Sequence, residues 1–131
     1  MGQLLGNAVR FGMAHDVMAA GEGLETILSL RSTLPSLPMV AALSANHLAA
    51  ILFPGRLRRL YVALDRDPAG YRAVATLTER AATVGIEAVT LTPAFGDFNE
   101  DLRRLGVHAM WAASRVQLAP DDVARFLKTV V

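Results

Sequence analysis

The stretch Leu60-Tyr61-Val62-Ala63-Leu64-Asp65-Arg66-Asp67-Pro68-Ala69-Gly70 decides how the rest of the chain is read. Leu60–Leu64 is apolar and includes the β-formers Tyr61 and Val62, which predicts a buried strand. Asp67 before Pro68 is a helix start. An Asp side chain can cap free backbone N–H groups, and Pro suits the first helical position, where its missing donor costs nothing. Beyond it, Gly70, Val74, Leu77, Ala81 and Val84 recur on one helical face. Arg72, Thr76, Glu79 and Thr83 lie off that face, and Gly85 ends the run. The unit is a buried strand that leads into a helix across two acids.

The same alternation extends in both directions. Upstream, Ala8–Phe11 and Asp16–Gly21 read as strands, and Gly21-Glu22-Gly23 breaks the second. A helix follows with Leu24, Ile27, Leu28 and Leu34 at helical spacing, until Pro35 stops it. Met39–Leu43 reads as a buried strand, and Asn46–Phe53 as a short helix halted by Pro54-Gly55. Downstream, Ile86–Leu91 is a strand, Pro93 and Gly96 open a loop, and Phe98–Leu105 is helical as far as Gly106. Residues 107–117 are ambiguous in period and favour a helix. Pro120–Val131 reads as a terminal helix with Val123, Phe126, Leu127 and Val130 inward. Strands separated by helices of this length predict βαβ units, hence a parallel sheet with right-handed crossovers and helices on both faces.

Composition fits one such domain. The chain has 131 residues, is 53% hydrophobic and 19% charged, and contains no cysteine. Disulfides, thiolate metal sites and Cys nucleophiles are excluded. A net charge of +1 provides no global field toward nucleic acid or anionic lipid. Residues 32–55 carry no charge, but Pro35, Pro38 and Pro54 break them, as do Ser36, Ser44, Asn46 and His47. A spanning helix needs about 20 predominantly apolar residues, so no membrane partner is expected. No signal peptide is evident, and a cytoplasmic location is expected.

The acids are placed unevenly. Glu22 follows one predicted strand, Asp65 and Asp67 another, and Asp97 and Asp101 a third. In an open parallel sheet, the carboxyl ends of the strands are where ligands bind. In an extended segment, residues i and i+2 project to the same side, so Asp65 and Asp67 could converge with Arg66 turned away. Two like charges about 4 Å apart repel by roughly 4 kcal/mol at an effective dielectric of 20, so a proton or a cation must compensate. An all-oxygen set suits a hard ion, Mg²⁺ or Mn²⁺. Bland readings stand beside this one: Asp67, Asp97 and Asn99 all resemble helix caps, and Glu25 in a first turn favours the helix dipole.

Other chemistry is thinly supported. His15, His47 and His108 lack metal-ligand spacing, and Ser29, Ser32 and Ser44 lack a nucleophile-elbow context. Tyr61 and Tyr71 read as packing residues. Arg56-Leu57-Arg58-Arg59 is the one tight basic run and needs no function as a solvated edge. Arg103 and Arg104 are better placed to guide a phosphate backbone toward the acids.

Three segments together resemble a known family. Gly21-Glu22-Gly23-Leu24-Glu25-Thr26, then Leu64-Asp65-Arg66-Asp67-Pro68-Ala69-Gly70, then Gly96-Asp97-Phe98-Asn99-Glu100-Asp101-Leu102 follow the order of the Toprim domain. That domain is shared by primases, topoisomerases, certain nucleases and recombination proteins. The nearest likeness is to the Toprim domains of phage- and plasmid-type DNA primases and primase-helicases. The resemblance covers about Ala8 to Leu105. It implies an α/β, Rossmann-like Toprim fold: about four parallel core strands flanked by helices, plus an extra N-terminal strand. The whole chain, 1–131, would be a single domain, with a core of about 8–105 and a C-terminal helical extension over 107–131.

The resemblance further implies nucleotidyl or phosphodiester transfer on nucleic acid, within primer synthesis by a DNA primase. Glu22 would be the general acid/base or a metal-proximal carboxylate. Asp65 and Asp67 would hold Mg²⁺ or Mn²⁺, and Asp97, Asn99 and Asp101 would complete or orient that site. Arg66, Arg103 and Arg104 would face nucleic acid. Partners would be DNA or RNA, nucleotides, and other primase or helicase domains. Primases often carry a Lys where Gly96 stands here. Complete primases are much longer, so a fragment, an excised domain or a stand-alone protein is expected, and the isolated chain could be inactive. A stand-alone metal-dependent nuclease of the same fold and a non-catalytic replication scaffold are the alternatives.

Overall fold

The computed structural model describes residues 8–128. Its elements are β1 (Val9–Phe11), β2 (Val17–Gly21), α1 (Leu24–Arg31), β3 (Met39–Ala41), α2 (Ala45–Ala49), β4 (Arg59–Ala63), α3 (Pro68–Thr83), β5 (Glu87–Leu91), α4 (Phe98–Leu105), α5 (Val107–Gln117) and α6 (Pro120–Phe126). The five strands form one sheet in the order β1-β3-β2-β4-β5. β3, β2, β4 and β5 run parallel, while β1 lies antiparallel on the outer edge of β3. The expected parallel core and additional N-terminal strand are both present.

Side chains of period two sort the sheet into two apolar faces. Val17, Ala19, Met39, Ala41, Tyr61 and Ala63 point to one core, where Ile27 and Leu30 of α1 meet Phe98, Met110 and Phe126 of α4, α5 and α6. Met18, Ala20, Val40, Val62 and Leu60 point to the other, filled by Leu48 of α2 and Ala73, Leu77 and Ala81 of α3. Each fully buried Leu or Ile stabilises the fold by about 1.5–3 kcal/mol relative to an exposed one. Small residues dominate the carboxyl half of β2, and Gly21 shows why. A Cβ there would sit 2.9 Å from Ile27 Cδ1 and 3.3 Å from Ala63 Cβ, so a larger residue would force α1 away from the strand.

Several helix limits differ from the periodicity. α1 stops at Arg31, because Ser32 Oγ and Thr33 Oγ1 turn back onto the carbonyls of Ser29 and Leu30. Its exposed face includes Leu24 and Leu28. α2 ends at Ala49 rather than Phe53, since Arg80 reaches across from α3 and donates to the carbonyls of Ala49 and Ile51 at 2.7 and 2.9 Å. The Arg80 guanidinium also stacks on Phe53. Val84 is 63% exposed, so the inward face of α3 ends at Ala81, and Ala73 joins Gly70 and Leu77 on it. α6 ends at Phe126, short of the expected Val131: Leu127 and Lys128 follow it outside the helix, and 129–131 lie outside the described residues.

A polar knot joins α6 to the start of β4. Asp122 is buried, and its Oδ2 accepts from Arg59 Nη1 at 2.8 Å and from the Tyr61 hydroxyl. The same hydroxyl accepts from Ala119 N at 3.0 Å. Burial and the facing Asp122 carboxylate hold the Tyr61 phenol above its ordinary pKa, so it remains a donor. Tyr61→Phe removes both bonds and strands a backbone N–H, and is expected to cost about 1–3 kcal/mol. Urea denaturation checks the cost, and amide exchange should show α6 opening first. Unchanged exchange in α6 would contradict this role.

Candidate metal and phosphoryl-transfer site

The carboxyl ends of β2, β4 and β5 lie side by side, and each is followed by acids from the three segments identified in the sequence. Glu22 leaves β2 in a bend before α1, with its backbone carbonyl accepting from Leu43 N at 2.7 Å. Asp65 follows β4 and is half-buried between Glu22 and the loop after β5. Burial, then the charges of Glu22, Asp97 and Asp67, push its carboxyl up to about 7.

Glu22 Oε1 and Asp65 Oδ1 are buried without a hydrogen-bond partner among the described residues. Two acceptors facing one another have nothing to accept from. A shared proton satisfies them when Asp65 is protonated, and otherwise the pair calls for a cation. The chemistry of these donors fits a hard divalent ion. As they stand, no three His, Cys, Asp or Glu side chains are gathered closely enough to hold a metal among the described residues.

The other expected ligands have structural duties. Asp67 does not lie in an extended pair with Asp65, because its N–H turns back to the Asp65 carbonyl at 2.8 Å. Asp67 Oδ1 instead caps α3 by accepting from Gly70 N at 2.6 Å. Asp97 Oδ1 caps α4 by accepting from Glu100 N at 2.8 Å. Each keeps one carboxylate oxygen outside these bonds, and both charges reach Asp65. Asn99 Oδ1 lies 3.5 Å from Ser29 Oγ, at the contact of α4 with α1.

Asp101 has both carboxylate oxygens engaged by the chain itself. It is 4% exposed, and its two oxygens accept from Ala94 N at 2.7 Å and Phe95 N at 2.8 Å. It shapes the loop that presents Asp97 and does not join the open carboxylates. Arg66 is occupied as well: Nε and Nη2 donate to the Pro93 carbonyl at 3.1 and 2.8 Å, and its backbone N–H donates to Gly96 O at 2.9 Å. Arg66 thus ties the Asp65 loop to the Asp97 loop. Arg104 pairs with Glu100 at 3.0 Å and stacks on Phe95. Arg103 is exposed on α4.

Gly70, the last residue of the Asp65–Gly70 motif and part of the apolar helix face, is essential to this geometry. Gly70 lies against the Asp65 carbonyl so closely that a Cβ would come within 2.1 Å of the oxygen. No other residue lets the first turn of α3 pass there. The signal was its fixed place three residues after Asp67, where the capped N–H must sit.

Comparison with known proteins agrees with this architecture. The family model described as the Toprim domain matches residues 17–108. A solved structure, a DNA primase domain from Pseudomonas aeruginosa, superposes with a TM-score of 0.53 at 19% identity over 86% of this chain. The chain spans about a third (34%) of that primase domain. No curated protein matches the chain. Among the described residues, no helix is long and apolar enough to cross a membrane.

Proposed function

The chain belongs to the Toprim domain family, and from that premise we propose that it is a divalent-metal-binding domain for nucleotidyl transfer on nucleic acid, of the kind used in primer synthesis by DNA primases. The observation that carries the reading is the facing pair of buried, unpartnered oxygens, Glu22 Oε1 and Asp65 Oδ1, at the carboxyl edge of the sheet. Glu22 and Asp65 would hold Mg²⁺ or Mn²⁺, with the remaining oxygens of Asp67 and Asp97 available to it. A bound divalent ion supplies charge neutralisation at a phosphoryl group.

The chain's own side chains supply the rest. Asp65, pushed up to about 7, holds a proton near neutrality in the metal-free chain and would give it up when a cation binds. Glu22, at the same edge, is the group proposed to take a proton from an attacking hydroxyl. Asp101 and Arg66 keep the two acid-bearing loops in register, so the carboxylates need little rearrangement during the reaction. Replication partners, DNA or RNA, and a phage or plasmid setting belong to the same proposal.

Calorimetric titration of Mg²⁺ and Mn²⁺ into the folded chain tests it, with Asp65→Ala as the paired variant. Saturable binding to the wild type and its loss in Asp65→Ala are expected. A wild type that binds neither ion, or a variant that binds equally well, would overturn the metal site. Labelled DNA and RNA incubated with the chain and Mn²⁺ should both stay intact. Cleavage of either would move the reading to a nuclease of the same fold.

A further inference from the structure

α2 and α3 pack on the same side of the sheet, opposite α1 and α4. Between their starts lies a groove of about 210 Å³, walled by Asn46, Arg72 and Thr76 over a floor that includes Ala45, Ala49 and Ala69. Its location is set by the topology. α2 follows the carboxyl end of β3 and α3 that of β4, with β2 and Glu22 between them. The backbone joins groove and acids directly. Leu43 N donates to the Glu22 carbonyl at 2.7 Å, two residues before Ala45 begins the groove wall. Leu43 holds φ at 77°, a left-handed backbone that a leucine adopts only under constraint. On the other wall, Ala69 and Arg72 lie in the first turns of α3, immediately after Asp67.

Arg58, Arg59, Arg104 and Arg125 are paired with carboxylates, and Arg66 and Arg80 are spent on backbone carbonyls. Several arginines, Arg10, Arg31, Arg56, Arg72, Arg103 and Arg115 among them, lack an ion-pair or hydrogen-bond partner among the described residues, and Arg72 is the one that lines this groove. None of the groove-lining residues is acidic. A guanidinium with an amide and a hydroxyl beside it is a donor set for phosphate oxygens. The alanine floor leaves room for a group to settle against the helix backbones. The volume falls short of a drug-sized pocket of 300 Å³ or more, and suits a phosphate with part of its sugar.

We propose that the α2–α3 groove is a phosphate-binding subsite, with Arg72 as its charged ligand and Asn46 and Thr76 as its neutral ones. It would hold a substrate phosphate beside the Glu22–Asp65 edge. The proposal rests on the reading of that edge as a phosphoryl-transfer site. Two sources share the chemistry: the triphosphate of a nucleotide and the backbone of a single strand.

The test uses the full chain, with two probes: a short fluorescent oligothymidylate, and ATP in the presence of Mn²⁺. Arg72→Ala should weaken at least one probe about tenfold, as expected for loss of a charge-assisted contact. Arg72→Glu should weaken it further, while Mn²⁺ binding by calorimetry stays at the wild-type level. A strand as the source lowers the salt slope of oligothymidylate binding by about one. A nucleotide as the source weakens ATP alone. Arg115→Ala, an exposed arginine on α5 stacked on Trp111, should change neither. The subsite is overturned if both Arg72 variants bind both probes like the wild type, or if Arg115→Ala loses as much. It is also overturned if the wild type binds Mn²⁺ but neither probe. Absent Mn²⁺ binding fails the metal reading separately, since oligothymidylate binding is read without metal.

Discussion

Gly70→Ala is expected to destabilise the domain by at least about 3 kcal/mol, a large part of the roughly 5–15 kcal/mol that holds such a domain folded. The added methyl would fall 2.1 Å from the Asp65 carbonyl oxygen, 3.0 Å from its carbon and 3.1 Å from Asp65 Cβ. The oxygen is backbone and cannot swing aside as the end of a flexible side chain would. It also receives the Asp67 N–H at 2.8 Å, so moving it breaks the turn that aims Asp65. Relief requires the first turn of α3 to back away, which costs the Asp67 cap at Gly70 N. Gly23→Ala is the control, because nothing lies within 4 Å of a Cβ there. It should cost less than about 1 kcal/mol. Urea denaturation of both variants decides the matter. A Gly70→Ala variant within about 1 kcal/mol of wild type would show that this close approach does not constrain the loop.

Asp65→Asn should make the metal-free domain more stable at pH 8 while removing its response to metal. The sign follows from the direction of the shift. The Asp65 carboxyl titrates at about 7 when folded and near 3.8 when unfolded. Between those values the folded chain holds the extra proton, so stability falls as pH rises through that window, and the full cost is present above it. A gap of this size corresponds to at most about 4 kcal/mol. Solvent screening at a half-buried group reduces the expected gain of the amide to about 1–2 kcal/mol. The gain should shrink to a small fraction by pH 4 and vanish below about pH 3, where the carboxyl is protonated in both states.

With Mn²⁺ at a hundred times its dissociation constant, the wild type should gain about 2.7 kcal/mol and the variant nothing. The two therefore exchange rank when metal is added. Thermal unfolding at pH 4 and pH 8, with and without Mn²⁺, measures all of this. A variant less stable than wild type at pH 8 without metal would show that Asp65 is not strained by its neighbours.

The architecture was largely legible because its punctuation is chemical. Asp67-Pro68 fixed the start of α3, and the runs read as strands at 16–21 and 60–64 coincide with β2 and β4 to within one residue at each end. The gathering of Glu22, Asp65 and Asp97 at one edge followed from topology alone. What stayed hidden depends on long-range side-chain contacts that leave no periodic trace. Nothing local marks Arg80 as the residue that ends α2 from a neighbouring helix. Asp101 has the same composition cue as a ligand, yet its oxygens are used by Ala94 and Phe95. Nothing in the terminal run 120–131 singles out Asp122, which is the buried anchor for Arg59 and Tyr61.

The strand order has a consequence for how the site comes into being. β2 lies between β3 and β4, so Glu22 and Asp65, about forty residues apart in sequence, become neighbours only when two distant segments have paired in register. No local hairpin or isolated helix assembles the pair ahead of the sheet. An ion that needs both carboxylates therefore ignores every partly zipped form of the chain. Occupancy of the site would count correctly threaded molecules, and the proposed ion would act as a proofreader of the fold.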